Sequence, residues 1–271
     1  MNLEQALQIV SQTDVGMVRS RNEDSVASDI SRGLVVLADG MGGYNAGEVA
    51  SHMATAVIVS ETQKIPEERM SFEIDPQTGE STAQKLLRDH IAKANTAIYR
   101  VSLHHPRYSG MGTTLLAALF HDNGITVAHI GDSRLYRMRG GELSQITKDH
   151  SVLQACLDNG LITPGEALSV TKSLVTRGLG TEATVEPEVH DYDTLQGDIY
   201  LLCSDGLSDM VGDEDIGLAL RTCGWDLRLC ARRLVQIAND SGGHDNVSVI
   251  LVKVLGDYTA PRDIVAKVAD L

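Results

Sequence analysis

Four aspartates stand where apolar runs begin or end, and they are the first sign of chemistry in this sequence. Asp39 closes the run "VVLAD", Asp205 closes "YLLCSD", Asp132 follows "VAHIG", and Asp245 precedes "NVSVILV". An isolated Asp-Gly between apolar residues usually marks a hairpin turn. The repetition favours another interpretation, because strand ends meet at one edge of a sheet and carboxylates gathered there repel each other unless a cation lies among them.

The types of these residues indicate which cation would bind. Carboxylates without thiolate partners suit hard ions such as magnesium or manganese rather than structural zinc. Gly40, which follows Asp39, would let the backbone itself approach an ion. The four cysteines show no C-x-x-C spacing, so neither a zinc-thiolate site nor a disulfide framework is expected.

A charged segment near the start, "TDVGMVRSRNEDS", spans residues 13–25. Arg19 and Arg21 lie close in sequence to Glu23 and Asp24. One interpretation is a solvated loop with surface ion pairs, each worth about 0 to 1 kcal/mol. The other is that the acids complete a metal site while an arginine binds a phosphate through its two-pronged guanidinium. The residues alone leave both open.

Composition excludes several classes of function. Asp and Glu number 37 against 23 Lys and Arg, and the resulting net charge of −14 argues against nucleic acid or an anionic membrane as a partner. No window approaches the roughly 18 consecutive apolar residues of a membrane span. The first ten residues also lack the basic start of a secretory signal. We therefore expect a cytoplasmic protein, and the lack of a sustained heptad repeat predicts a monomer.

The elements that must position these residues are visible as patterns of apolar residues. Short apolar runs bounded by Gly, Asp and Asn predict strands at residues 35–38, 113–120, 125–130, 199–203 and 247–254. Apolar residues spaced by three and four predict two helices between the first two strands, through Val57 and Val101, and a later pair at 213–221 and 226–239. Helices in pairs between tightly connected strands favour a layered α+β fold with antiparallel sheets.

Seven segments in this order resemble a known family: "RSRNEDS", "VVLADGMGG", "GMGTTLLAAL", "VAHIGDSRLYRM", "ITKDHS", "LLCSDGLSD" and "GGHDNVSVILV". They are similar to the bacterial form of the metal-dependent serine/threonine protein phosphatases of the 2C type. The resemblance implies a four-layer α-β-β-α sandwich, in which two antiparallel β-sheets are flanked by helix pairs, with a flap subdomain at about 150–180. It predicts a catalytic domain over residues 1–255 and a short C-terminal extension over 256–271.

The resemblance also implies a centre of two Mn²⁺ or Mg²⁺ ions, with a weaker third. By its position in the motifs, Asp39 would bridge both ions and Gly40 would offer its carbonyl to one of them. Asp205 and Asp245 would be ligands of the other ion. These assignments are carried over from the family and are not worked out from the residues.

Four further residues match the family's motifs. Glu23 and Asp24 would complete the centre directly or through water. Asp132 would hold the third ion together with Asp205, and Arg19 would bind the substrate's phosphate. As catalytic residues the resemblance thus implies Arg19 and Asp39.

The activity implied is hydrolysis of phosphoserine and phosphothreonine on proteins by a metal-activated water, in signal transduction opposite a serine/threonine kinase. One alternative is a catalytically silent module that binds phosphoproteins on the same fold, and another is a hydrolase of small phosphoesters. Silent forms are expected to lack a ligand, whereas Asp39, Asp205 and Asp245 are all present here.

Two departures from the family pattern affect the substrate side of the site. Met41 stands where animal relatives have a histidine that protonates the leaving alcohol, and methionine has no proton to give. Bacterial relatives often have a His-Pro-x-Arg-Asn element in the flap, where this chain has "ALSVTKS" at 167–173. His129 and His244 lie inside motifs, and for both we favour a structural role over a catalytic one.

Overall fold

The computed structural model describes residues 2–43, 46–66, 74–167 and 174–259. Its strands are β1 (Leu7–Asp14), β2 (Asp24–Asp29), β3 (Leu34–Met41), β4 (Gly112–Thr113), β5 (Leu115–His121), β6 (Gly124–Ile130), β7 (Arg134–Arg139), β8 (Glu142–Gln145), β9 (Glu188–Asp193), β10 (Ile199–Cys203) and β11 (Val247–Val254). Its helices are α1 (Leu3–Ala6), α2 (Ala46–Gln63), α3 (Thr82–His104), α4 (Val152–Asp158), α5 (Pro164–Ala167), α6 (Asp205–Ser208), α7 (Asp213–Cys223) and α8 (Leu227–Asp240).

The strands form two antiparallel sheets. One has the order β1-β11-β10-β7-β8, and the other has the order β2-β3-β5-β6-β9, with β4 paired to β3. Strand β3 is apolar as far as Ala38 because both of its faces are covered. Val36 and Ala38 face the α2–α3 layer, while Val35 and Leu37 face the other sheet. A strand covered on both sides has no solvent face to encode with polar residues.

Three apolar layers hold the sandwich together. Helices α2 and α3 pack on the second sheet through residues such as Ile58 and Ile91, and helices α7 and α8 pack on the first sheet through Ile216 and Leu234. Between the two sheets lies a third layer that includes Tyr200. The α-β-β-α architecture expected from the resemblance is confirmed. The predicted strands and helices belong to it, except that the single strand predicted at 113–120 is divided between β4 and β5.

The flap and the C-terminal segment are described only in part. Helices α4 and α5 lie in the flap, whereas residues 168–173, which hold most of the "ALSVTKS" segment, fall outside the described residues. The same holds for 260–271, most of the predicted extension. Before that point Tyr258 is buried, and its hydroxyl donates to the Gly124 carbonyl at 3.1 Å. The chain after β11 therefore contributes to the core as far as Tyr258.

Candidate metal centre

The centre of the site is a pair of aspartates on neighbouring strands. Asp24 begins β2 and Asp39 lies near the end of β3, and the antiparallel register places the two directly opposite each other. Opposed residues in such a pair have Cβ atoms about 4.5 to 5.5 Å apart. The "NED" and "LAD" motifs, fifteen residues apart, are brought together by this register.

The other sheet contributes Asp205 and Asp245 at the same end of the sandwich. Asp205 is the first residue of α6, directly after β10, and Asp245 lies just before β11, the neighbour of β10. Ser204, which follows β10, links the two sheets at this edge. Its hydroxyl donates a hydrogen bond to Asp24 Oδ2 on β2 at 2.9 Å. Strand ends from both sheets thus meet at one edge, as the sequence predicted.

The electrostatics of Asp39 show how closely the acids are gathered. Burial, and then the negative charges of Asp24, Asp205, Asp132 and Asp245, raise the pKa of Asp39 well above its usual range. In the folded chain, ionisation of Asp39 is therefore unfavourable unless positive charge is supplied nearby.

Backbone contacts position Glu23 and Gly40. The Gly40 N–H donates to the Glu23 carbonyl at 3.1 Å, and the Glu23 N–H donates to Asn246 Oδ1 at 2.8 Å. A Cβ on Gly40 would stand 2.2 Å from the Gly47 carbonyl oxygen. The glycine is therefore needed to let the start of α2 lie against the end of β3.

Asp132 lies at the rim of this cluster. It follows Gly131, whose φ of +104° is a backbone conformation that favours glycine. Burial, followed by the charges of Asp205, Asp149 and Asp209, raises the pKa of Asp132 to about 7. Asp132 is thus near Asp205, its expected partner at the third ion.

Arg19 is the cation that the structure places at the centre. Its Nη2 donates to Asp245 Oδ2 at 2.5 Å, across 226 residues of sequence. The Arg19 side chain remains 45% exposed, so the guanidinium contacts both the acids and solvent. Residues 13–25 had two interpretations, a solvated loop or part of a metal site, and the structure favours the second.

The donor set fits divalent cations. Asp24 is 5% exposed, and its Oδ1 has no hydrogen-bond partner among the described residues. A buried carboxylate oxygen without a donor is costly unless a cation contacts it.

Comparison with known proteins decides the family. The family model described as "Protein phosphatase 2C" matches residues 18–248. The chain belongs to the protein phosphatase 2C family. The resemblance identified from the seven motifs is thereby confirmed.

Similar proteins come from several bacteria. The serine/threonine protein phosphatase PstP of Mycobacterium tuberculosis (strain ATCC 25618 / H37Rv) is 42% identical over 262 residues, which are 96% of this chain and 48% of PstP. The chain therefore spans about half the length of that relative. The protein phosphatase PhpP of Streptococcus pneumoniae is 34% identical over 253 residues, which cover 89% of this chain and 95% of PhpP.

Solved structures of this phosphatase 2C family agree with the fold. A crystal structure of M. tuberculosis PstP/Ppp superposes with a TM-score of 0.82 at 40% identity, covering 93% of this chain and 100% of that one. The PstP catalytic domain in complex with two manganese ions gives a TM-score of 0.80 at 40% identity, covering 93% of this chain and 99% of that one.

Sequence reasoning missed residues that hold the acids in place. Asn246 uses its amide N–H groups to bond the Val15 and Arg21 carbonyls at 2.9 and 2.8 Å, and it thus fixes the segment that carries Arg19. Thr113 Oγ1 and the Thr114 N–H both donate to the Asp39 carbonyl at 2.8 Å. Asn246 lies inside the motif "GGHDNVSVILV", in which the resemblance implies a role for Asp245 alone.

Asp24 leads to a prediction about the metal-free protein. Burial is the main cause that raises the pKa of Asp24 to about 7, whereas an unfolded aspartate titrates near 4. Between these two values the folded state binds more protons, so the contribution of Asp24 is fully present below about pH 4 and is lost as the pH rises through about 7. We expect Asp24→Asn to gain stability relative to wild type as pH increases over this window.

Urea unfolding in the presence of a chelator, at several pH values from 4 to 7.5, measures the effect. Asparagine keeps an oxygen that accepts from Ser204 Oγ, so the comparison isolates the charge. A free-energy difference between variant and wild type that stays constant across the range, or falls with pH, would contradict the assignment.

Proposed function

We propose that the chain is a metal-dependent protein serine/threonine phosphatase that hydrolyses phosphoserine and phosphothreonine with two Mn²⁺ or Mg²⁺ ions and a weaker third. The observation that carries the proposal is Asp39, whose pKa is raised by its burial and by the charges of four other carboxylates around it. The two manganese ions in the PstP catalytic domain support the choice of ion.

Each ligand is assigned on the family pattern and is consistent with its place in the fold. Asp39 would hold both ions, the Gly40 carbonyl would hold one of them, and Asp205 and Asp245 would hold the other. Glu23 and Asp24 would complete the centre directly or through water. Asp132 and Asp205 would hold the third ion.

The chemistry divides between the ions and the chain. When bound, the two ions supply an ionised water near neutral pH and positive charge at the phosphoryl oxygens. Arg19 adds a guanidinium that reaches solvent beside Asp245 and can bind two phosphate oxygens at once. We infer that Arg19 neutralises Asp245 before the metals bind and turns to the phosphate afterwards.

Protonation of the leaving alcohol is not provided by Met41, which occupies the position of the animal histidine. Nor is the role taken by His129, which is 3% exposed and bonded to the Lys148 carbonyl. A water molecule at the centre is the donor we propose.

The alternative of a silent phosphoprotein-binding module is disfavoured by the intact ligand set. A hydrolase of small phosphoesters would have the same metal centre as a protein phosphatase and would differ only in its substrate. Only an activity assay can therefore distinguish these two functions. Phosphorylated proteins are the partners we propose, opposite a serine/threonine kinase in signal transduction, with the chain acting as a cytoplasmic monomer.

The charge of −14 supports a role without nucleic acid. No helix in the described part of the chain is long and apolar enough to cross a bilayer.

The experiment that tests the function compares phosphate release from a phosphothreonine peptide and from an aryl phosphate. The metal-free protein is assayed before and after addition of Mn²⁺. We expect release from the peptide only with Mn²⁺, at a higher kcat/KM than for the aryl phosphate. Turnover that persists with excess chelator would exclude the mechanism, and peptide binding without release would identify the silent module.

The same assay tests Arg19. Arg19→Ala should raise KM for the peptide by roughly 10- to 100-fold, because a hydrogen bond to a charged group contributes about 1.5 to 3 kcal/mol. The affinity for Mn²⁺, measured by calorimetry, should not fall. Arg21→Ala is the matched control, since Arg21 is also exposed but lacks an ion pair with the centre's acids among those described. An unchanged KM in Arg19→Ala would remove Arg19 from phosphate binding.

A further inference from the structure

A second cluster of side chains that could hold a metal shares no residue with the aspartate centre. His129 on β6 and Glu188 on β9 are directly opposite in the antiparallel register. His150, which lies between β8 and α4, completes the group. One ligand atom from each of the three residues lies within 4.8 Å of the other two.

The hydrogen bond of His129 prepares it to bind a metal. Its Nε2 lies 2.9 Å from the Lys148 carbonyl oxygen. A carbonyl only accepts, so Nε2 carries the proton and Nδ1 keeps a free lone pair. Histidine ligands of metals commonly donate their second ring nitrogen to a carbonyl in this way.

Glu188 lies between two imidazoles. Its Oε2 is 3.4 Å from His150 Nε2, and its Oε1 is 3.0 Å from His190 Nε2. His190 is two residues further along β9 and therefore points to the same face as Glu188. The cluster thus offers three imidazoles and one carboxylate.

An ion can reach this cluster from solvent. A cleft with a volume of about 620 Å³ lies beside the flap, and none of the five aspartates lines it. Glu188 and His190 line it. The His150 side chain is 9% exposed and that of Glu188 is 39% exposed, so the cluster extends from the interior to the surface.

We propose that His129, His150 and Glu188 bind one transition-metal ion of the zinc class, with His190 as a fourth ligand. Imidazole nitrogens suit zinc, whereas the all-oxygen aspartate centre suits magnesium or manganese. The two sites therefore differ in the ion they prefer as well as in position.

Binding at this site is coupled to the loop that carries Asp132. The Gly131 N–H donates to His150 Nδ1 at 3.2 Å. If His150 Nε2 binds a metal, the ring proton must be on Nδ1. Nδ1 is then a donor and can no longer accept from the Gly131 N–H, so this hydrogen bond is lost. The rings of His129 and His150 are stacked 4.7 Å apart, and one must turn for both to contact a single ion. Zinc should therefore change the environment of Gly131.

The test uses protein saturated with Mg²⁺ and titrated with Zn²⁺ against a zinc-binding chromophore. We expect wild type to take up one more equivalent of Zn²⁺ than Glu188→Gln or His129→Gln, or to hold it roughly tenfold or more tightly. His104→Gln, at an exposed histidine of α3, is the matched control and should keep the equivalent. Asp39→Asn should also keep it, which separates this site from the aspartate centre.

A second measurement reports on the structure without activity. In ¹H–¹⁵N spectra the Gly131 amide should shift on addition of Zn²⁺ in wild type and not in Glu188→Gln. Glu188 is partly exposed, so its variant is expected to fold even where substitution of buried His129 is not tolerated. Equal Zn²⁺ uptake and affinity in wild type and Glu188→Gln would overturn the proposal.

Discussion

Asp39→Asn should lower kcat for a phosphothreonine peptide by at least about 10³-fold at saturating Mn²⁺. A Lewis-acidic ion contributes several kcal/mol to transition-state stabilisation, and each 1.36 kcal/mol corresponds to roughly tenfold in rate. Asparagine has about the same shape, but it has lost one anionic oxygen and cannot join two cations. Steady-state kinetics over a range of Mn²⁺ concentrations measures the loss.

The stability of the same variant shows whether the loss is local. Because burial and then the neighbouring negative charges raise the pKa of Asp39, its replacement should not lower the melting temperature of the metal-free protein. Stabilisation by added Mn²⁺ should shrink at the same time. Asp240→Asn, at the exposed end of α8, serves as the control and should behave as wild type. Full turnover by Asp39→Asn would contradict the bridging role.

Gly40→Ala should destabilise the fold by about 3 kcal/mol, the upper part of the usual range for overpacking. The added Cβ would stand 2.2 Å from the Gly47 carbonyl oxygen and 2.7 Å from the Glu23 carbonyl oxygen. Both atoms belong to the backbone, so no side-chain rotation can relieve the clash. The start of α2 must move away from β3, and the acids next to Gly40 move with it.

Urea denaturation measures this effect as a lower midpoint with an unchanged slope. Gly43→Ala is the matched control in the same motif, because a Cβ on Gly43 meets nothing within 4 Å and its φ is not positive. Its effect should stay within about 1 kcal/mol. If the two alanine variants were equally stable, the close approach of β3 and α2 would not be a constraint.

Patterns of apolar residues predicted two kinds of element: the long helices, and the strands whose two faces are both covered. Strands β1, β2, β7, β8 and β9 were not predicted, because they carry polar and charged residues that break the apolar pattern. In β7, for example, Arg134 pairs with Asp149 at 2.8 Å and Arg139 pairs with Asp198 at 2.7 Å. A strand of this composition cannot be recognised from local hydrophobicity, because its partners lie elsewhere in the chain.

The cluster of His129, His150 and Glu188 likewise cannot be recognised from local sequence patterns. The sequence predicts a structural role for His129, and its hydrogen bond to the Lys148 carbonyl is consistent with that role. No local pattern connects His129 with His150 or Glu188, which become its neighbours only through the β6–β9 register and the path of the chain after β8.

By itself, the sequence determined the chemistry available: aspartates at strand ends, a hard divalent ion as their partner, and the motifs that identify the family. These features depend on residue types and on separations of a few residues, which local geometry converts directly into strands and turns. Only the tertiary structure decided which side chains meet, such as Asp24 with Asp39 and Arg19 with Asp245. Such pairs depend on strand register and sheet order, which the packing of the whole chain fixes.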